Sequence, residues 1–537
     1  MVLNELRERK VMNDAIVGTK SMVVSPHYLA SMAGDEILQK GGNAFDAAVA
    51  VSACLAVVYP HMTGMGGDSF WLLYDASEEK MISYNGSGRS GSQVTREKYI
   101  GKDAIPIRGI ESAINVPGMV DSWDQIIDKY GKLTLAEVLQ PAIQYAENGF
   151  PFSKSQYENT VTHYDLLCSI PETAEIFVPN QQVPNINEKF VQKNLARSLQ
   201  LIAEKGRDEF YKGTLAKHIV SSLQEKGGYL TFEDFASHHG DWTEPIYTTY
   251  RDYRMYQVPP NSQGFVGLMA LNILEDFDLG HIEHGSYEYY HLLVEALKLG
   301  FRDRNKELTD PLFHSIPLDR LLDKKYAYQL ANEISWKQAT DIETKPVGSD
   351  TAHAAVVDKD GNAVSFIQSL YFEFGSAVVA GDTGILMQNR GSFFSLDPSE
   401  VNCLEPNKRT FHTLMPAMAC KDGKPVIVYG TQGGEGQPQT QTIIATRMID
   451  YGMNPQQAIT EPRFVWGRTW GDPTRELKME GRISKEVTDK LKDAGHIVNV
   501  VDDFHQAMGH ANAILIDKQG ILHGGTDPRS DGAAIGR

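Results

Sequence analysis

Apolar positions recur at helical spacing over 26–39 and stop at Gly41-Gly42. Asn43 is placed to cap a second helix over 44–59. That stretch is rich in Ala and Val and apolar on all sides, which assigns it to a core rather than a surface. A glycine-rich turn, Thr63-Gly-Met-Gly-Gly67, then feeds two strand-like runs, 69–74 and 80–84.

The middle of the chain is mostly helical. Thr134 and Glu137 form a capping-box signal ahead of a helix over 138–147, and Thr231 with Asp234 starts a short one. Residues 194–227 carry amphipathic periodicity broken near Gly206 and Gly213. The runs 246–250 and 253–258 alternate like paired strands about Arg251-Asp252. A helix follows from Gly264 through Leu274, and another over 286–302. After a polar, extended segment at 335–350, strand runs 352–357 and 363–370 flank the hairpin signal Asp358-Lys-Asp-Gly361. A strand at 426–429 leads through Gly430-Thr-Gln-Gly-Gly434 into a helix ending near 450. The runs 513–517 and 521–524 make a last hairpin. Two blocks of strands with helices around both predict an α+β layered fold, without fixing the order of layers.

Composition narrows the partners. The 537 residues hold 51 Lys+Arg against 69 Asp+Glu, a formal charge of -18, which argues against nucleic acid or an anionic membrane. Cys54, Cys168, Cys403 and Cys420 lack metal-type spacing and are expected as buried free thiols. The charged start of the chain shows no signal peptide, and no apolar run is long enough to span a bilayer, so a cytoplasmic protein is expected.

The chemistry centres on Thr351, which opens a strand. A threonine that becomes a chain terminus carries a hydroxyl nucleophile and an α-amine base in one residue, so cleavage of Asp350–Thr351 would create an acyl-transfer device. Gly433-Gly434, at a strand-to-helix turn, can aim two backbone N–H groups at a developing oxyanion, though a plain turn has the same pattern. Ser369 lies on the second strand of the hairpin, in reach of Thr351. His281, His284, Glu288 and His291 do not form a metalloprotease pattern and are expected as surface or packing residues, with a metal site as the lesser alternative. No phosphate loop and no Gly-x-Ser-x-Gly elbow is present. No cofactor or metal is expected.

Beyond these positions the chain resembles the γ-glutamyltransferase family of N-terminal-nucleophile hydrolases over nearly its whole length. The resemblance rests on Gly41-Gly-Asn-Ala-Phe-Asp-Ala-Ala-Val-Ala50, Gly64-Met-Gly-Gly-Asp68, Val116-Pro-Gly118 and Gly206-Arg-Asp-Glu-Phe-Tyr-Lys-Gly213. It continues through Thr351 to Ser365, Pro406-Asn-Lys-Arg409, Gly433-Gly434 and Asp527-Pro-Arg-Ser530. It implies a four-layer αββα sandwich, an inactive precursor cut between Asp350 and Thr351, and two intertwined segments, 1–350 and 351–537, that stay paired. It implies Thr351 as nucleophile and, once freed, as base. Ser369 would support it, Gly433 and Gly434 would form the oxyanion hole, and a small-molecule amide of γ-glutamyl type would be the substrate. A non-catalytic binding protein is the alternative that retention of these four residues argues against.

The resemblance breaks at the substrate contacts. Glutamyl-specific members hold the substrate carboxylate with an arginine where Asn85 stands; Arg89 is the candidate replacement. Tyr371, Arg390 and Phe393 replace an Asn, a Gln and an Asp that hold the α-ammonium, and His412-Thr413 replaces a Ser-Ser pair. Phe393 offers no anion, and Arg390 repels an ammonium and attracts a carboxylate. These changes favour an acyl group with a carboxylate and no α-amine, as in cephalosporin-acylase-like and oxamate-amidohydrolase-like members.

Overall fold

The computed structural model describes residues 13–342, 350–467 and 474–537, with Asp350 described through its backbone alone. Fourteen of its strands form two sheets. They are β1 (Ile16–Gly18), β2 (Met22–Ser25), β3 (Asp68–Asp75), β4 (Lys80–Gly86), β5 (Asp241–Thr243), β6 (Ile246–Tyr250) and β7 (Tyr253–Gln257). Then come β8 (Asp350–Val357), β9 (Ala363–Tyr371), β10 (Ala417–Lys421), β11 (Lys424–Thr431), β12 (Ala511–Ile516), β13 (Leu522–Thr526) and β14 (Ala533–Gly536). One seven-stranded sheet runs β1-β13-β12-β11-β10-β7-β6; the other runs β14-β2-β8-β9-β3-β4-β5. Both sheets combine strands from before residue 350 with strands from after it.

Side-chain alternation sorts the layers. On β8, Ala352, Ala354 and Val356 pack outward with α1 (Tyr28–Gln39), α2 (Ala44–Val58) and α3 (Leu135–Asn148). Ala355 and Val357 point the other way, into a thin core between the sheets with Met418, Val428 and Ile514. The outer face of the first sheet is covered by α4 (Phe265–Leu274), α5 (Tyr287–Glu307) and α6 (Gly436–Ile449). The order is therefore helix, sheet, sheet, helix, as the resemblance implies.

Local signals act as the sequence predicts. Asn43 makes a full capping box with Asp46, and every residue of α2 is buried. Thr134 and Glu137 make another at the start of α3. The region 194–227 divides into three helices at Gly206 and Gly213. The sequence pattern does not reveal the short strands β1, β2, β5 and β14, nor β10. Three- to five-residue strands carry too few alternations to read. Of the cysteines, all four are free, but Cys168 is only half-buried, a correction to the expectation for it. Among the described residues no helix is long and apolar enough to cross a membrane.

Burial also sets a pH limit. Desolvation pushes His27 and His510 down to about 4 and His353 to about 3, so the fold holds these imidazoles neutral. A histidine whose folded pKa lies below its unfolded value contributes stability above about 6.5 and loses it as pH falls toward the folded value. Each costs about 1.4 kcal/mol per pH unit in that window. The urea midpoint should accordingly drop steeply between pH 7 and pH 5. An unchanged midpoint would mean that these side chains reach water in the native state.

Candidate active site

Thr351 sits at an irregularity of the β8–β9 ladder. Asp350 pairs with Tyr371 and Ala352 with Gln368, so Thr351 alone faces both Ser369 and Leu370. The extra residue of this bulge lies on β9, opposite Thr351. Thr351 is almost wholly buried. Its Oγ1 lies 3.5 Å from Gln437 Nε2 on the first turn of α6. Two residues on, the His353 ring packs where a side chain on Gly430 of β11 would stand. The Asp350 side chain lies outside the described residues.

The turn between β11 and α6 brings Gly433 and Gly434 to this point. Both have positive φ, 128° and 52°, a pair of conformations that glycine alone adopts cheaply. Their carbonyls are occupied. Gly433 O accepts from Gly436 N at 2.6 Å, and Gly434 O from Gln263 Nε2 at 3.0 Å. Among the described residues neither N–H makes a hydrogen bond. Two donors are thus left at the end of β11, as an oxyanion hole requires.

Ser369 is held from three sides. Its Oγ accepts from Tyr371 N at 2.7 Å and lies 3.5 Å from Arg390 Nη2. A Cβ at Gly67 would collide with the Ser369 carbonyl, which explains a glycine in the 63–67 turn. Tyr371 itself has φ of 92°, strain of the kind that collects at functional sites.

Arg390 lies in a closed cage. Its guanidinium stacks 4.2 Å from the Tyr371 ring centroid, and Phe393 stands behind. Nε and Nη1 have no hydrogen-bond partner among the described residues. Burial lowers its pKa to about 10, which leaves it cationic at neutral pH. Nearby, burial lifts Asp68 to about 6 against the opposing pull of Arg390. Asp68 Oδ1 accepts from Gly88 N, Gly118 N and Gln388 Nε2, at 3.0 to 3.1 Å. The Gly64–Asp68 and Val116–Gly118 motifs therefore meet at one carboxylate. His412 Nε2 stands 3.2 Å from Asp68 Oδ2, and burial holds His412 neutral.

Two sequence candidates do not reach this cage. Asn85 spends its amide on Asn261 and Ser87. Arg89 pairs with Asp310 at 2.9 Å and lines a separate small pocket with Asp234 and Asn407. Arg89, the candidate replacement for the missing arginine, is thus already held by an Asp. Thr413 is buried, and its carbonyl accepts from Gln263. Beside the cage opens a cavity of about 450 Å³ walled by Tyr371, Phe372, Phe393 and Phe411.

The four metal candidates diverge. His281 is exposed and pairs with Asp278, and His284 accepts from Arg447. His291 meets His496 and Glu295 instead, and Lys298 holds that carboxylate at 2.9 Å. Residues missed from sequence are Asp68, Gln437 and the pair Arg304–Glu435. An Asp heading the apolar run of β3 was the available signal for the first.

A family model described as gamma-glutamyltranspeptidase matches residues 30–537. The chain belongs to the γ-glutamyltranspeptidase family. It is 65% identical to the glutathione hydrolase-like YwrD proenzyme of Bacillus subtilis (strain 168), over 98% of this chain and 100% of that one. It is 40% identical to the oxamate amidohydrolase proenzyme of Klebsiella pneumoniae, over 98% and 100%. A crystal structure of cephalosporin acylase from Bacillus halodurans superposes with a TM-score of 0.91 at 37% identity, covering 98% of this chain and 97% of that one. Membership in the γ-glutamyltranspeptidase family makes the chain an enzyme acting on amide bonds, and the four-layer fold agrees.

Proposed function

We propose that this member of the γ-glutamyltranspeptidase family is a self-processing N-terminal-threonine amidase for acyl groups that carry a carboxylate and no α-amine. In maturation the Thr351 hydroxyl attacks the Asp350 carbonyl and the peptide becomes an ester. Water then hydrolyses that ester, releasing segment 1–350 and a free Thr351 amine. In turnover that amine takes the hydroxyl proton while Oγ1 attacks the substrate amide. Gly433 and Gly434 N–H groups hold the oxyanion, Ser369 supports Oγ1, and the proton passes to the leaving amine. Water or an acceptor amine resolves the acyl-threonine. The two segments remain one folded unit.

The observation that carries the substrate assignment is Arg390, a buried cation with unpartnered nitrogens beside Ser369. Asp68 acts on this cation only from beyond ion-pair distance, so Nε and Nη1 stay unpaired at a cost that a substrate carboxylate would relieve. Tyr371 and Phe393, which flank it, give an ammonium no anion. The oxamate activity named for the Klebsiella relative is of this carboxylate-only kind. The B. subtilis relative's name points instead to a γ-glutamyl substrate. Initial rates on glutaryl and γ-glutamyl p-nitroanilides separate the two. The glutaryl compound should be cleaved faster; a clear γ-glutamyl preference would overturn the assignment.

A further inference from the structure

We infer that Arg304 and Glu435 are positioning residues that aim the oxyanion donors, an inference resting on the proposed role of Gly433 and Gly434. Glu435 follows the glycine pair directly and is almost fully buried. Its Oε1 accepts from Arg304 Nη2 at 2.5 Å. Arg304, equally buried, comes from the last turns of α5. Its Nη1 donates to Gln263 Oε1 at 2.9 Å. Gln263 Nε2 then donates to Gly434 O and Thr413 O, both at 3.0 Å.

One guanidinium thus grips the turn twice: through the Glu435 side chain, and through Gln263 onto the Gly434 carbonyl. This matters because a trans peptide fixes each N–H opposite the preceding carbonyl. The Gly434 N–H is set by Gly433 O, which Gly436 N holds, and the Gly433 N–H by Gln432 O, which accepts from Thr431 Oγ1. Gly434 O, held by Gln263, fixes the next plane, so Arg304 braces the turn immediately after the two donors. Glycine at positive φ gives the turn no stiffness of its own. The Arg304 fork, whose planar geometry serves two acceptors at once, anchors the plane and the side chain that follow the donors. The pair also crosses the proposed cut: Arg304 lies in the segment before Thr351 and Glu435 in the segment after it.

The test compares Glu435→Gln, Arg304→Lys and Arg304→Met with the parent, all in the processed form and all checked for an unchanged melting temperature. Each variant is assayed on a glutaryl anilide and titrated with two inhibitors. An alkyl boronate with a terminal carboxylate becomes tetrahedral on Thr351 and fills the oxyanion hole; glutarate occupies only the carboxylate site. Misaiming the donors should lower kcat by roughly ten- to a hundredfold. KM should move by no more than about twofold, as expected when only transition-state contacts are lost. Boronate affinity should fall in step with kcat while glutarate affinity holds. Arg304→Met should lose most, and Glu435→Gln, which keeps a hydrogen-bond acceptor, least. Variants that keep the parent kcat and boronate affinity overturn the inference alone. Equal losses for boronate and glutarate also overturn it, since that is general disorder. A parent protein that the boronate does not inhibit overturns the oxyanion assignment and this inference with it. If Arg304→Met does not fold, Glu435→Gln, close in shape to the parent, decides.

Discussion

Thr351→Ala should leave a single unbroken 537-residue chain on denaturing mass analysis, where the parent resolves into two pieces meeting at Asp350/Thr351. The position of Oγ1 explains why loss of this one hydroxyl is decisive. The β8–β9 register shifts opposite Thr351, whose Oγ1 lies 3.5 Å from Gln437 Nε2 beside the glycine turn. In the proposed mechanism Oγ1 both breaks the chain and attacks substrate. Loss of a nucleophile lowers turnover by about 10⁶-fold in a well-studied hydrolase, and a comparable loss is expected here. Thr351→Ser keeps the oxygen and should still split, more slowly. Fragments from the alanine variant at the same position would assign the cut to another agent and withdraw Thr351 as nucleophile.

Arg390→Met should move activity and stability in opposite directions. Methionine fills much of the same volume between Tyr371 and Phe393 without charge. A charge-assisted hydrogen bond to substrate is worth roughly 1.5–3 kcal/mol, so kcat/KM for a carboxylate-bearing amide should fall by about ten- to a hundredfold. Amides with uncharged acyl groups should lose little. The melting temperature should rise, because the free protein no longer buries a guanidinium whose Nε and Nη1 lack partners, and Asp68, already lifted to about 6 by burial, takes up a proton when that cation is gone. A variant that loses stability along with activity would show that the arginine is part of the scaffold and not reserved for substrate.

Much of the scaffold was legible in the sequence, because long elements carry enough period to be read. The all-apolar run that became α2, the Thr134 box of α3 and the Asp358–Gly361 hairpin each state their structure locally. What fails is whatever depends on a distant partner. Arg89 and Arg390 look alike as sequence; Asp310, 221 residues away from Arg89, is what takes one of them out of the site. The bulge at Thr351 is a slip between two strands and has no signature in either. Likewise the polar residues Gln263 and Glu435 read as a loop and a helix start, and only the arrival of Arg304 gives them a task.

The interleaving of strands from both sides of residue 350 has a consequence for the enzyme's life history. Before the cut, the unfolded polypeptide carries all fourteen strands on one thread, and its return to the native state is independent of concentration. After the cut, neither piece holds a complete sheet, and recovery needs an encounter between two molecules whose exposed edges also invite self-association. Maturation would therefore exchange reversibility for persistence: the processed enzyme survives by not unfolding, and heat inactivation that the precursor could undo becomes permanent at low concentration.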